Sequence, residues 1–215
     1  MTLLEQPAEA TAGTIRSATL ADVPFTSETL ARAFHDDPIM GWIFPDDARR
    51  PAILRTFFDV AARRVYLRYG ETYVYGDRTA AAMWAPPGKW KLSPMDILRN
   101  APSLGRVMGG RLFVGLRATL LAERGHPLEP HYYLAVLGTD PVYQGRGIGS
   151  RLLSHMLARS DDEGIPSYLE SSSEGSKRLY LRHGFRVMEE VPLPGGGPPF
   201  WRMWRDVGAA GSFGR

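Results

Sequence analysis

His131 to Leu157 reads HYYLAVLGTDPVYQGRGIGSRLLSHML. Tyr132 to Leu137 is a run of aromatic and aliphatic side chains, suited to a buried strand. The next residues, from Gly138 to Ile148, are punctuated by Pro141 and by Gly145 and Gly147, with Gly149 just beyond. From Ser150 on, Leu152, Leu153, Met156 and Leu157 fall at helical spacing and give a helix one apolar face. A strand, a glycine-rich turn and a helix in this order present backbone N–H groups to an anion. The first turn of a helix has N–H groups without internal partners, and the macrodipole adds positive character there. Glycine lets the backbone approach a ligand closely and adopt positive φ. The stretch reads as a pyrophosphate cradle; the plainer alternative is a strand–turn–helix connection with a flexible loop.

The type of cradle can be narrowed. A P-loop ends in Gly-Lys-Ser/Thr, and this stretch has no lysine. A dinucleotide fingerprint needs a third glycine, but Gly147 and Gly149 are followed by Ser150, Arg151 and Leu152. What remains is Gln144-x-x-Gly147-x-Gly149. That motif resembles the coenzyme A signature of the GNAT superfamily of N-acyltransferases, Arg/Gln-x-x-Gly-x-Gly/Ala.

Composition is typical of a soluble globular protein. The chain has 215 residues, enough for one domain with a sizeable core, and is 44% hydrophobic and 23% charged. No apolar run approaches the ~20 residues needed to span a bilayer. The start, MTLLEQPAEATAG, lacks the basic and apolar blocks of a signal peptide. There is no cysteine, which excludes disulfides, Cys–zinc sites and a cysteine nucleophile. A reducing compartment is permitted, and the expected location is the cytoplasm. The formal charge of +3 is modest, and the basic residues are scattered, with lysine only at positions 89, 91 and 177. That pattern argues against a nucleic-acid tail and suits an anionic ligand.

In chain order, residues 1–13 and 207–215 are expected to be flexible tails, with 1–215 holding one domain. Thr14 to Leu20 suggests a strand, and a helix follows with Leu30, Ala31 and Phe34 on one face. His35-Asp36-Asp37-Pro38 breaks it. A second helix starts at Pro45-Asp46-Asp47, carries Ile53, Leu54, Phe57, Phe58, Ala61 and Val65, and ends near Gly70. Thr72–Tyr75 and Thr79–Trp84 read as a hairpin turned at Gly76-Asp77. Residues 93–124 look helical but contain Gly105, Gly109, Gly110 and Gly115, so short broken pieces are expected. After the central helix come a strand at Ile165–Glu170 and a helix from Ser173 to His183 capped at Gly184. Strands at Phe185–Val191 and Phe200–Arg205 complete the chain.

Two further pieces carry the resemblance. Ser176 to Phe185, SKRLYLRHGF, is similar to the superfamily's later motif, a helix carrying a tyrosine that ends in Gly-Phe and enters a strand. The opening order of strand, helix, Asp-Pro, helix and hairpin is similar as well. Asp37-Pro38, Trp42 to Asp46, and Trp201 to Trp204 resemble the puromycin-acetyltransferase-like branch. The likeness covers roughly residues 14–206. It implies an α/β (α+β) GNAT fold, a mixed central sheet of about six to seven strands flanked by helices. In it a splayed strand pair forms the acetyl-CoA groove.

The resemblance also implies roles. The pantetheine arm would pair with Leu137, Gly138 and Thr139. The pyrophosphate would lie on the amides of Gln144, Gly145, Arg146, Gly147, Ile148, Gly149 and Ser150. The family often places Asn or Ser near the next helix start, and here that position offers Gly175-Ser176. Arg146 and Arg151 either add charge or are solvated surface residues. The implied reaction is attack of a primary amine on the acetyl thioester in a ternary complex, giving an oxyanion that a strand N–H near Leu137 can stabilise. Tyr180 is the candidate partner of the leaving sulfur; the alternative is a core tyrosine. Reference pKa values of ~10 for tyrosine and ~8.5 for a thiol make full transfer uphill by about 2 kcal/mol, so hydrogen bonding with late transfer is expected.

The amine must lose a proton. Glu170, His131 and Glu129 are the candidate bases, a water chain being the alternative; Glu170 is otherwise a strand-end carboxylate accepting backbone N–H groups. On the acceptor side Asp36, Asp37, Trp42, Tyr66 and Trp84, with His35 and Trp90, supply acids and aromatics suited to a cationic amine. The alternative for each is a core aromatic or a helix cap. No metal is expected. Expected partners are acetyl-CoA and a small-molecule amine, with no nucleic acid or membrane, and a homodimer is left open. The competing readings are a non-catalytic acyl-CoA-binding module on the same fold and a protein that binds another phosphate ligand.

Overall fold

A computed structural model describes residues 13–91 and 94–209. The short strand β1 (Ile15–Ser17) leads through a single turn at Leu20–Asp22 into α1 (Val23–Ala33), which buries Val23, Leu30 and Ala31. Asp37 caps α2 (Pro38–Ile43) by accepting from the N–H groups of Ile39 and Met40, with Pro38 at the first helical position. α3 (Arg50–Val60) runs on through a π-turn at Ala61–Tyr66 and a short turn at Leu67–Tyr69 to Gly70, whose φ of 75° ends it. The hairpin β2 (Thr72–Tyr75) and β3 (Ala80–Ala85) follows. Its turn places Arg78 at φ 66°. That backbone is held because Arg78 Nε donates to Asp22 at 2.7 Å and its carbonyl accepts from Thr29 at 2.8 Å.

α4 (Pro94–Met108) and α5 (Arg111–Arg124) form a helical hairpin between β3 and β4 (Tyr132–Thr139). This corrects the expectation of short pieces: only Gly109 and Gly110 interrupt the run. Gly115 lies inside α5, where a Cβ would come within 3.2 Å of the end of the Met108 side chain at the close of α4. The remaining order is α6 (Ile148–Asp162), β5 (Ser167–Ser171), α7 (Glu174–Arg182), β6 (Arg186–Pro192) and β7 (Pro199–Arg205). Gly184 closes α7 at φ 86°, with the Phe185 N–H reaching back to the Tyr180 carbonyl. Of the expected tails, 1–12 and 210–215 lie outside the described residues. Gly208 and Ala209 are tied to the body through Asp161 and Arg205.

The strands form one seven-stranded mixed sheet in the order β1-β2-β3-β4-β5-β7-β6, antiparallel except for β4 and β5. β3 is buried on both faces, and its side chains alternate with period two. Ala80, Ala82 and Trp84 face the core under α6, with Leu152, Leu153, Met156 and Met203. Ala81 and Met83 face the core under α1 and α3, with Leu30, Leu54 and Phe58. On β4 this phase flips: Tyr132 and Leu134 join the first core, whereas Val136 joins the second. The cause is a bulge. Met83 pairs with Val136 but Trp84 pairs with Leu134, which leaves Ala135 as the extra residue. The parallel ladder to β5 stops at the same place, pairing Tyr132–Leu134 with Ser167–Leu169. Beyond Leu134 the β5-side edge of β4 has no neighbouring strand, and the sheet opens.

Candidate active site

The opening between β4 and β5 is a cleft of about 710 Å³. Its walls are β4 from Leu134 to Thr139, the turn and start of α6, the end of β5 at Glu170 and Ser172, α7 from Ser173 to Arg182, and the α1–α2 corner at Asp36 and Asp37. Of the residues expected to face a cofactor, only Arg146 is not among the lining residues.

The turn into α6 is built to leave its amides free. Asp140 is buried and caps the turn at the Val142 N–H while Arg32 Nε holds its other oxygen at 2.9 Å. The Gln144 side chain donates to the Thr139 carbonyl at 3.0 Å, so its role is to close the turn. Gly145 and Gly147 both sit at φ 75°, where a side chain is strained. Among the described residues, nothing accepts from the N–H groups of Gly145 through Ser150, and Gly147 lacks a side-chain cap. Gly149 has no unusual φ, and a Cβ there would meet nothing nearer than Thr139 Oγ1 at 3.6 Å. The fold itself does not require glycine at 149; the missing side chain leaves room on the cleft side. These free amides, at the positive end of a helix and beside an unpaired strand edge, fit a diphosphate joined to an extended arm.

Arg146 stays on its own turn, donating to the Val142 carbonyl and lying over Tyr143. Arg151 is not among the lining residues and donates to the Tyr75 hydroxyl at 2.9 Å. Ser176 belongs to a serine network, 2.7 Å from Ser171 Oγ and 2.9 Å from Ser173 Oγ at the α7 start. Gly138 is required by packing: a Cβ would come 2.6 Å from Leu30 Cδ2 and 3.1 Å from Ala33 and Phe34 of α1.

Tyr180 lines the cleft from α7, with its ring edge-on to Phe185. Its hydroxyl has no hydrogen-bond partner among the described residues. Burial first, and then the nearby Asp37 carboxylate, push the phenol well above its usual pKa, so it stays protonated. Asp37 both caps α2 and faces the cleft, and its second oxygen accepts from Ser172 at the end of β5. Burial raises its pKa against those hydrogen bonds.

Glu170 closes the other end of the cleft. Its Oε1 is buried without a hydrogen bond, 3.4 Å from His126 Nδ1. Three tyrosines approach it: Tyr66 from the π-turn, Tyr133 from β4 and Tyr168 from β5. All three are pushed up, by burial first and then by Glu170, so they remain neutral phenols. Tyr66 therefore stands beside the candidate base.

The structure separates the other expected residues. Trp84 is fully buried in the core under α6, on a strand covered on both faces, and does not line the cleft. His131 is 1% exposed and sits behind the cleft wall, bonded to His126 and the Glu129 carbonyl. Trp42 packs against the Gly197 turn, where a Cβ would come 2.7 Å from the indole. Asp36 lies at the exposed cleft rim. Sequence reasoning missed His126 and Arg202. Arg202 pairs with Glu189, donates to the Leu121 carbonyl, and runs so close under Gly125 that a Cβ there would clash at 2.3 Å. It thereby fixes the turn that carries His126. Among the described residues, no group of three or more His, Asp or Glu side chains is placed to hold a metal.

An open strand edge beside free helix-terminal amides defines the class, and comparison with known proteins agrees. The model of the acetyltransferase (GNAT) family matches residues 80–185. An uncharacterised N-acetyltransferase of Schizosaccharomyces pombe is 25% identical over 186 residues, spanning 80% of this chain and 74% of that protein. The N-alpha-acetyltransferase RimI of Mycobacterium tuberculosis is 34% identical over 83 residues, 39% of this chain and 51% of that protein. A Corynebacterium glutamicum crystal structure described as histone acetyltransferase HPA2 and related acetyltransferase superposes with a TM-score of 0.72 at 29% identity. It covers 91% of this chain and 97% of its own. The arylalkylamine N-acetyltransferase 2 of Aedes aegypti shares the fold, with a TM-score of 0.56 at 12% identity over 90% of this chain and 98% of its own. The chain belongs to the GNAT superfamily of acetyltransferases, whose members use acetyl-CoA. No described helix is long and apolar enough to cross a membrane.

Proposed function

We propose that this chain is an acetyl-CoA-dependent N-acetyltransferase that acetylates a primary amine of a small molecule by direct attack in a ternary complex. The observation that carries the reading is the row of unengaged amides from Gly145 to Ser150 beside the unpaired edge of β4. When bound, acetyl-CoA supplies an acetyl group activated as a thioester. The chain's own part is to hold and orient that arm along Leu137–Thr139 and to move protons. Glu170 takes a proton from the acceptor nitrogen. Tyr180, held protonated by burial, donates a hydrogen bond to the sulfur that leaves. Since its pKa stands above that of a free phenol, transfer to sulfur is late and follows C–S cleavage.

Support for an amine acceptor comes from the two cleft carboxylates, Glu170 and Asp37, and from the aromatic rings of Tyr66, Tyr133 and Tyr168 around the first. The puromycin-acetyltransferase-like branch, a cytoplasmic location and the open question of a homodimer remain parts of this proposal. The test is release of free thiol from acetyl-CoA with a panel of aryl, alkyl and polycationic amines and an N-terminal peptide. Turnover with a small amine supports the reading. Turnover with the peptide alone would replace the acceptor class. Tight coenzyme A binding with no turnover on any member would favour a non-catalytic acyl-CoA-binding module.

A further inference from the structure

Behind Glu170 the hydrogen bonds can be assigned atom by atom. His131 Nδ1 lies 2.6 Å from the Glu129 carbonyl oxygen. A carbonyl only accepts, so that nitrogen carries the hydrogen. His131 is fully buried, and burial, followed by the neighbouring His126, lowers its pKa, so the ring is neutral and Nε2 is bare. Nε2 lies 3.0 Å from His126 Nε2, which must therefore donate. His126 can then exchange a proton only through Nδ1, the atom facing Glu170 Oε1 at 3.4 Å. With no proton between them, two lone-pair atoms confront each other in a buried site. With one proton on either, the bond closes. The surroundings suit a charged ring: Trp90 stacks on His126 with centroids 3.7 Å apart at 15°, and Tyr133 and Tyr168 meet it edge-on.

We infer that His126 is a positioning residue that shares one proton with Glu170, so that carboxylate and imidazole together take up and hold the proton of the acceptor amine. The inference rests on the N-acetyltransferase reading above. In the step, a proton passes from the ammonium to Glu170 and frees the nitrogen lone pair. The N–C bond forms and the C–S bond breaks, its electron pair going to sulfur. Sulfur takes its proton from Tyr180, which recovers one from the product nitrogen, and the pair returns its own proton to solvent. Three neutral phenols (Tyr66, Tyr133 and Tyr168) and the His131 ring also face this pair. Arg202 stands in register with Glu170 on β7 and is itself matched by Glu189.

The test follows the histidine rings by ¹⁵N NMR of the full chain. Between about pH 5 and 8, the range of an ordinary imidazole, His131 keeps Nδ1–H and does not titrate. His126 keeps Nε2–H throughout, donated to His131 Nε2. Glu170→Gln shifts the His126 Nδ1 signal and leaves the His131 ring signals in place, because Nδ1 is the atom that faces the changed side chain. In kinetics, His126→Asn lowers kcat about tenfold, less than the roughly hundredfold expected for the base itself. It also moves the acid limb of kcat to lower pH and leaves coenzyme A affinity unchanged. A His126 Nδ1 signal that Glu170→Gln does not move, or an acid limb that His126→Asn leaves in place, overturns the inference. The wild-type and Glu170→Gln spectra carry the test should His126→Asn fail to fold. If the rings behave as described but no amine is acetylated, the shared proton stands and the N-acetyltransferase reading fails.

Discussion

At Tyr180 a single oxygen decides between a packing residue and a participant. Its ring is buried against Phe185, yet the residue lines the cleft and its hydroxyl has no hydrogen-bond partner among the described residues. Tyr180→Phe keeps the ring, so coenzyme A affinity should stay within about twofold while kcat falls roughly tenfold to a hundredfold. Equal loss in both, measured by calorimetry and steady-state kinetics, would count against the role. Asp22 shows the opposite case of a carboxylate that serves only the fold. It is buried and held by Arg16 at 2.7 Å, by Arg78 at 2.7 Å and by the Thr19 N–H at 2.8 Å. The Arg16 hydrogen bond first, then those from Arg78 and Thr19, hold its pKa far below the carboxylate range. A depressed folded-state pKa stabilises the fold above the unfolded value of ~3.9 and loses that contribution as the pH falls below it. Asp22→Asn should therefore lower stability at pH 7 and flatten the loss between about pH 4 and 2, as read by urea unfolding. At this scale the positions of Tyr180 and Glu170 on the cleft wall were legible, one from the helix ending in Gly-Phe and the other from its strand end. His126 was not, because its partners come from β5, the β3–α4 connection and its own turn, and no period in the sequence joins them. Trp84 was misplaced because an indole on a strand covered on both faces looks like one on a wall.

At the level of elements, two glycines in the central motif answer to different demands. Gly138 is pressed by α1, so Gly138→Ala should cost about 1–3 kcal/mol through overpacking and lower Tm by several degrees. Gly149 meets no close neighbour, so Gly149→Ala should leave Tm within about a degree. It should still weaken coenzyme A binding about tenfold, or 1.4 kcal/mol, by filling the cradle. Thermal scans and titrations on the same two variants separate packing from ligand, and the reverse pattern would refute both assignments. The strand–turn–helix was readable because its apolar period switches from strand to helix across the glycines. α4 and α5 were misjudged because glycine reads as a breaker along the chain, whereas Gly105 and Gly115 are carried inside continuous helices. α2 was overlooked, being a short helix set by the Asp37 cap and Pro38 and too brief to show a period.

For the whole molecule, one extra residue organises the site. The bulge at Ala135 flips the faces of β4 just where its ladder to β5 stops, and the cleft opens there. Strand order and splay were supplied by resemblance, since alternation gives each strand its faces but not its neighbours. The bulge lay hidden in the apolar run from Tyr132 to Leu137, where every position is acceptable on either face. The central claim is that the open edge of β4 and the amides leading into α6 together hold coenzyme A. A titration of ¹⁵N-labelled protein with coenzyme A, followed by amide shifts, tests this directly. Saturable shifts concentrated at Leu137–Thr139 and Gly145–Ser150 are predicted. Shifts confined to other parts of the chain, or none at millimolar ligand, would contradict it.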